Sequence, residues 1–82
     1  MTPAACRPLT ADQLTFLRWL VAAPPGEPRL HGQSPPDLWR DAFQIRRALL
    51  RAGLMAYGSD DTGLHSRCTM LPTDAGRRAA AA

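Results

Sequence analysis

This chain encodes a small α+β domain, mainly α with a small β-hairpin, and three observations predict it. Two stretches carry apolar residues at helical spacing, each with start and stop signals. Beyond Gly53 the apolar residues fall into two short strand-like runs, parted by a segment with two glycines and two aspartates. Pro72 then ends the second run, and Thr73 opens a last short helix.

Residues 1–9 read as an irregular arm. In Thr10-Ala11-Asp12-Gln13 the Thr10 hydroxyl can accept from the Gln13 amide while the Gln13 side chain reaches back. That is a capping box, and Leu9 and Leu14 stand where a hydrophobic staple would close it. Leu14, Leu17, Leu20 and Val21 recur at helical spacing and Phe16 and Trp19 widen the stripe. Pro24-Pro25-Gly26 stops the helix, so it covers residues 11–23. Residues 24–36 hold five of the eight prolines and read as a semi-rigid loop, with a brief extended piece at residues 29–31.

The second helix is expected to start with Ser34 as N-cap, Pro35 as first helical residue and Asp37 on the positive helix end. It runs to Ala52, and Gly53 can take the left-handed cap. Strands at residues 54–57 and 66–71 flank a loop at 58–65; Thr73 caps a helix through Arg78, and residues 79–82 trail off. One domain over residues 10–78 accounts for the pattern.

The second helix has two unlike faces. With Arg40 at zero on a helical wheel, Gln44, Arg47 and Arg51 fall within about 40° of it, while Leu38, Ala42, Ile45 and Leu49 fall at about 140–200°. One face is core and the opposite face is an Arg/Gln stripe. Trp39, Phe43 and Leu50 form a third edge, expected to pack on the first helix. Phe16, Trp19, Trp39, Phe43 and Tyr57 could stack on bases, but all five are assigned to the core or its edge, since a domain this small needs its aromatics inside.

With 82 residues the chain can bury one modest core. Its net charge of +3 permits an anionic partner. The basic residues are all Arg, whose planar fork suits phosphates, carboxylates and base edges; the surplus of Ala, Arg, Pro and Gly also follows from GC-rich coding. Cys6 and Cys68 make no disulfide framework and are expected to be free thiols. Cys6, His31, His65 and Cys68 lack the close spacing of a zinc site, and Asp60-Asp61 reads as turn chemistry. No nucleophile has a base and an orienting acid at recognisable spacing, and no glycine-rich phosphate loop is present. The chain is therefore expected to need no metal or cofactor and to be no enzyme. The segment before Thr10 lacks the apolar run of a signal peptide, and no stretch is long enough to span a bilayer, so a cytoplasmic protein without a membrane partner is expected.

Residues 37–78, about half of the chain, resemble the winged-helix superfamily, in particular the C-terminal half of bacterial repressors of the multiple-antibiotic-resistance type. In that family a recognition helix ends in a pattern like Leu-x-x-x-Gly-Leu, a two-stranded wing follows, and a Leu-Thr-x-x-Gly-Arg segment starts the next helix. The matching residues are Leu49 to Leu54, the hairpin of residues 55–71, and Leu71-Pro72-Thr73-Asp74-Ala75-Gly76-Arg77. The resemblance implies that Arg40, Gln44, Arg47 and Arg51 face the major groove and that the wing, with Arg67 on its second strand, lies along the backbone or minor groove. This chain departs from the family in three ways. Residues 38–53 leave no room for both a preceding helix and the recognition helix. The wing tip, Ser59-Asp60-Asp61-Thr62, is acidic and would repel phosphate. A long dimerisation helix is missing, so tight reading of a site would call for a homodimer built some other way.

The function that follows is a small DNA-binding protein, a transcriptional regulator that holds duplex DNA through Arg40, Gln44, Arg47, Arg51 and Arg67. The alternative is a phage or mobile-element protein that inhibits a host nucleic-acid machine, as anti-CRISPR and polymerase-binding proteins do. There Asp60 and Asp61 would enter a basic channel of the host complex, and the Arg stripe would meet acidic protein surface.

Overall fold

The computed structural model describes residues 8–60 and 67–82, without the side chains of residues 59, 60 and 67. The elements are α1 (Ala11–Val21), β1 (Arg29–Leu30), a 3-10 turn (Pro36–Leu38), α2 (Ala42–Arg51), β2 (Met55–Asp60), β3 (Arg67–Pro72) and α3 (Asp74–Ala81). Three helices pack with a three-stranded antiparallel sheet, an α+β fold.

The caps expected at the start of α1 and at the end of α2 are in place. The Gln13 amide donates to Thr10 Oγ1 at 3.1 Å, and the Thr10 amide donates to Gln13 Oε1 at 3.1 Å. α1 ends at Val21, two residues before the expected stop, with Ala22 as C-cap. At the end of α2, Gly53 has φ +72°. The Leu54 amide donates to the Leu49 carbonyl at 2.9 Å and the Gly53 amide to Leu50 at 3.1 Å. These two bonds form a complete Schellman cap.

The start of α2 differs from expectation. Pro35 is extended, with φ −55° and ψ 144°, and neither it nor Ser34 begins a continuous helix. The cause is local: a residue that precedes proline is pushed out of the α region, and Pro35 precedes Pro36. A single 3-10 turn follows, bonded from the Leu38 amide to the Pro35 carbonyl at 3.0 Å. The Asp41 amide donates to Leu38 at 3.2 Å, and α-type bonding begins only with the Ile45 amide on the Asp41 carbonyl at 2.9 Å. Asp41 is the N-cap residue of α2 and makes no side-chain cap.

The hairpin is longer than its apolar residues suggest, because β2 continues to Asp60 and β3 includes Pro72, which stands opposite Met55. The short extended piece before α2 is a strand. β1 adds to β3 with Arg29 opposite Met70 and Leu30 opposite Thr69, so the order is β1-β3-β2. The His31 amide lengthens this edge by donating to the Cys68 carbonyl at 2.9 Å. Arg29 ties β1 to α1: its guanidinium lies 4.4 Å from the Trp19 ring centroid, and its Nε donates to the Trp19 carbonyl at 3.3 Å.

Residues 79–81, expected to trail off, complete α3, and Ala79 and Ala80 pack on the core. The core takes Phe16, Leu17 and Leu20 from α1, Leu38 from the 3-10 turn, and Ala42, Ile45 and Leu49 from α2, closed by Leu54, Met55 and Met70. α3 docks through Thr73 and Gly76. Thr73 Oγ1 accepts from the Gly76 amide at 3.0 Å and donates to the Gly53 carbonyl at 2.6 Å, while the Thr73 amide donates to the Leu54 carbonyl at 3.1 Å. A Cβ on Gly76 would land on the Leu54 carbonyl oxygen. The Thr-x-x-Gly segment thus binds α3 to the turn that ends α2, and the glycine permits the close approach.

Candidate functional site

The two faces of α2 divide as the wheel indicates. Ala42, Ile45 and Leu49 are buried, and Gln44, Arg47 and Arg51 are exposed on the opposite side. Arg40 is also exposed, in the turn just before α2, while Arg46 is half-buried. The Schellman cap leads this helix directly into β2, and α3 clamps the junction. The outward stripe is therefore carried by a helix fixed on its inner face and at its C-terminal end. Asp37 and Asp41, both exposed, border the stripe at its N-terminal end.

The hairpin candidates can be placed only by backbone. Asp60 is the last residue of β2 and Arg67 the first of β3, and the two stand opposite each other in the antiparallel register. They mark the outer end of the paired hairpin, and Asp61 lies outside the described residues.

The aromatic residues at the α2 edge correct the expectation that they pack on α1. Leu50 does pack against the core, but Trp39 is 66% exposed and Phe43 is 62% exposed. Tyr57, assigned to the core edge, is 42% exposed, with the His31 ring edge-on at 5.2 Å. Two causes displace Trp39 and Phe43. The break between the 3-10 turn and α2 shifts the rotational phase, so Trp39 does not continue the α2 wheel. The apolar face of α1 is already filled: Phe16, Leu17 and Leu20 are all in the core, and Trp19 stands edge-on to Phe16 at 5.3 Å under the Arg29 guanidinium.

Arg40 and Trp39 form one unit, with the guanidinium carbon 5.3 Å from the ring centroid. Phe43 lies one helical turn before Arg47 on the outward side. The exposed surface thus interleaves cations, an amide and two large rings, where the sequence pointed to cations and an amide alone. The wheel sets Trp39 and Phe43 on neither face and so does not reveal their exposure.

A concavity lies between α1 and α3, lined by Arg18, Val21, Ala22, Arg77, Ala80 and Ala81. Arg18 Nε donates to the Ala80 carbonyl at 3.3 Å across it, a bond that joins the two helices. No helix among the described residues is long and apolar enough to cross a membrane. No protein-family model, curated protein or solved structure matches the chain.

Proposed function

We propose that this protein binds nucleic acid through the outward face of α2, holds duplex DNA there, and acts in transcription regulation. The observation that carries the reading is the exposed set Gln44, Arg47 and Arg51 on a helix locked to a hairpin and a capped third helix, with Arg40 exposed in the turn before it between Asp37 and Asp41. An α-helix fits the major groove. There, Arg can bridge guanine O6 and N7, Gln can bridge adenine N6 and N7, and the remaining guanidinium groups can meet phosphates. The element directly before α2 is a single 3-10 turn, residues 36–38, in place of the full helix that the resemblance implies.

Three Arg–phosphate pairs would give a log–log salt slope of roughly −2.7 on duplex DNA. Binding of a single copy is therefore modest, and pairing of two copies on adjacent half-sites would supply the rest. The test is equilibrium binding to random duplex DNA between about 50 and 200 mM salt. The wild type should bind with a slope of that order. The Arg40→Ala/Arg47→Ala variant should flatten the slope by about 0.9 for each phosphate that no longer meets an arginine. Absence of salt-sensitive binding at the low-salt end would reject the proposal. An Asp60→Ala/Asp61→Ala variant that binds DNA more tightly would show that the acidic hairpin end opposes it.

A further inference from the structure

The geometry points to a narrower ligand: we propose that this surface takes DNA with exposed bases, a single strand or the single-stranded segment beside a duplex, by stacking on Trp39 and Phe43. The proposal rests on the nucleic-acid reading above but not on its duplex form: it puts exposed bases, not the major groove, against this surface.

The argument starts from how few rings the chain has. Two Trp, two Phe and one Tyr are its whole aromatic supply. Phe16 is fully buried, and Trp19 lies between Phe16 and Arg29. The two rings left most open, Trp39 and Phe43, are both beside the Arg stripe. A small domain gains from burying such side chains, so their exposure together at one place marks a surface that is covered by a partner.

The charge and the rings constrain that partner jointly. Arg40 lies over Trp39, and Arg47 follows Phe43 by one turn, about 6 Å along the helix axis. A partner must therefore offer negative charge and apolar flat faces at alternating positions. Blunt duplex DNA offers the charge, but its base faces are closed in the stack and only base edges reach the groove. A single strand offers phosphates and unstacked base faces in alternation along one chain, and proteins that bind it combine cations with aromatic platforms. An acidic protein surface would answer the guanidinium groups, and its own apolar residues the rings. The repeated alternation of ring and cation favours the polynucleotide.

The test compares three probes of one mixed sequence in fluorescence anisotropy: a blunt duplex, the same duplex with a single-stranded overhang, and the overhang strand alone. The overhang and the single strand should bind more tightly than the blunt duplex. Trp39→Ala and Phe43→Ala should each weaken single-strand binding by roughly five- to a hundredfold, the value of one stacked base, and should lower the ratio of single-strand to duplex affinity. Trp39→Phe should keep most of the affinity while removing the part of the tryptophan quenching that comes from residue 39. Both rings are exposed, and thermal melts of each variant establish that the fold is retained. If the wild type binds all three probes alike and the ratio does not move in the variants, the single-strand inference is overturned while the nucleic-acid reading stands. If none of the probes binds, both fall. If none binds and an acidic protein partner is captured by the wild type but not by Trp39→Ala, the occupant is a protein and the proposal is overturned in its favour.

Discussion

Replacing Gly76 by alanine should reverse the usual sign of such a change inside a helix. On an exposed helix, Gly→Ala stabilises by about 1 kcal/mol. Here the added Cβ would fall on the Leu54 carbonyl oxygen, with the Leu54 carbonyl carbon at 3.0 Å and Leu17 Cδ1 at 3.3 Å. Two of these neighbours are backbone and the third belongs to the core, so none can swing aside. α3 must move outward, and its start is held by the bonds from the Thr73 amide to Leu54 at 3.1 Å and from Thr73 Oγ1 to Gly53 at 2.6 Å. Overpacking costs about 1–3 kcal/mol, and weakening the two hydrogen bonds adds about 1 kcal/mol each. Subtracting the propensity gain leaves a net loss of about 2–4 kcal/mol. For a domain of this size that lowers Tm by roughly 8–32 °C and removes a large part of total stability. Urea and thermal unfolding, followed by far-UV circular dichroism, measure it. A Gly76→Ala protein that melts at or above the wild-type temperature would refute the packing argument, because only helix propensity would then be acting.

Two further substitutions probe the same junction. Thr73→Ala removes both the N-cap of α3 and the bond to Gly53, and should cost about 1–2 kcal/mol in unfolding free energy, with Thr73→Ser recovering most of it. Gly53→Ala meets no atom within 4 Å, so its cost is that of the left-handed φ alone, about 1–2 kcal/mol, and Gly53→Asn should recover part of this by chemical denaturation.

Much of the fold was legible in the residues because the governing interactions are short-range. Thr10 and Gln13 cap α1 within three residues of each other, and Gly53 closes α2 through bonds to Leu49 and Leu50. The burial of Ala42, Ile45 and Leu49 and the exposure of Gln44, Arg47 and Arg51 follow from helical periodicity alone. The late start of α2 is also a local matter. The Pro35-Pro36 pair states it, and a reading that takes Pro35 as a first helical residue gives too little weight to the proline that follows.

Other features could not be read that way, because each depends on what a residue meets across the fold. Arg29-Leu30 shows an extended preference, but only the assembled sheet supplies β3 as its partner. Gly76 reads as a poor helix former until the Leu54 carbonyl is seen against it. For Trp39 and Phe43, hydrophobicity argues for the inside, and the filled face of α1 sends them out.

The sequence by itself determined the three helices and the hairpin, the caps that open α1 and α3 and close α2, and the cationic stripe of α2, since hydrogen bonds and side-chain periodicity within a few residues specify all of these. Only the tertiary structure decided that the stripe is shared with two open aromatic rings, because a ring's exposure depends on whether a neighbouring element still has room to cover it.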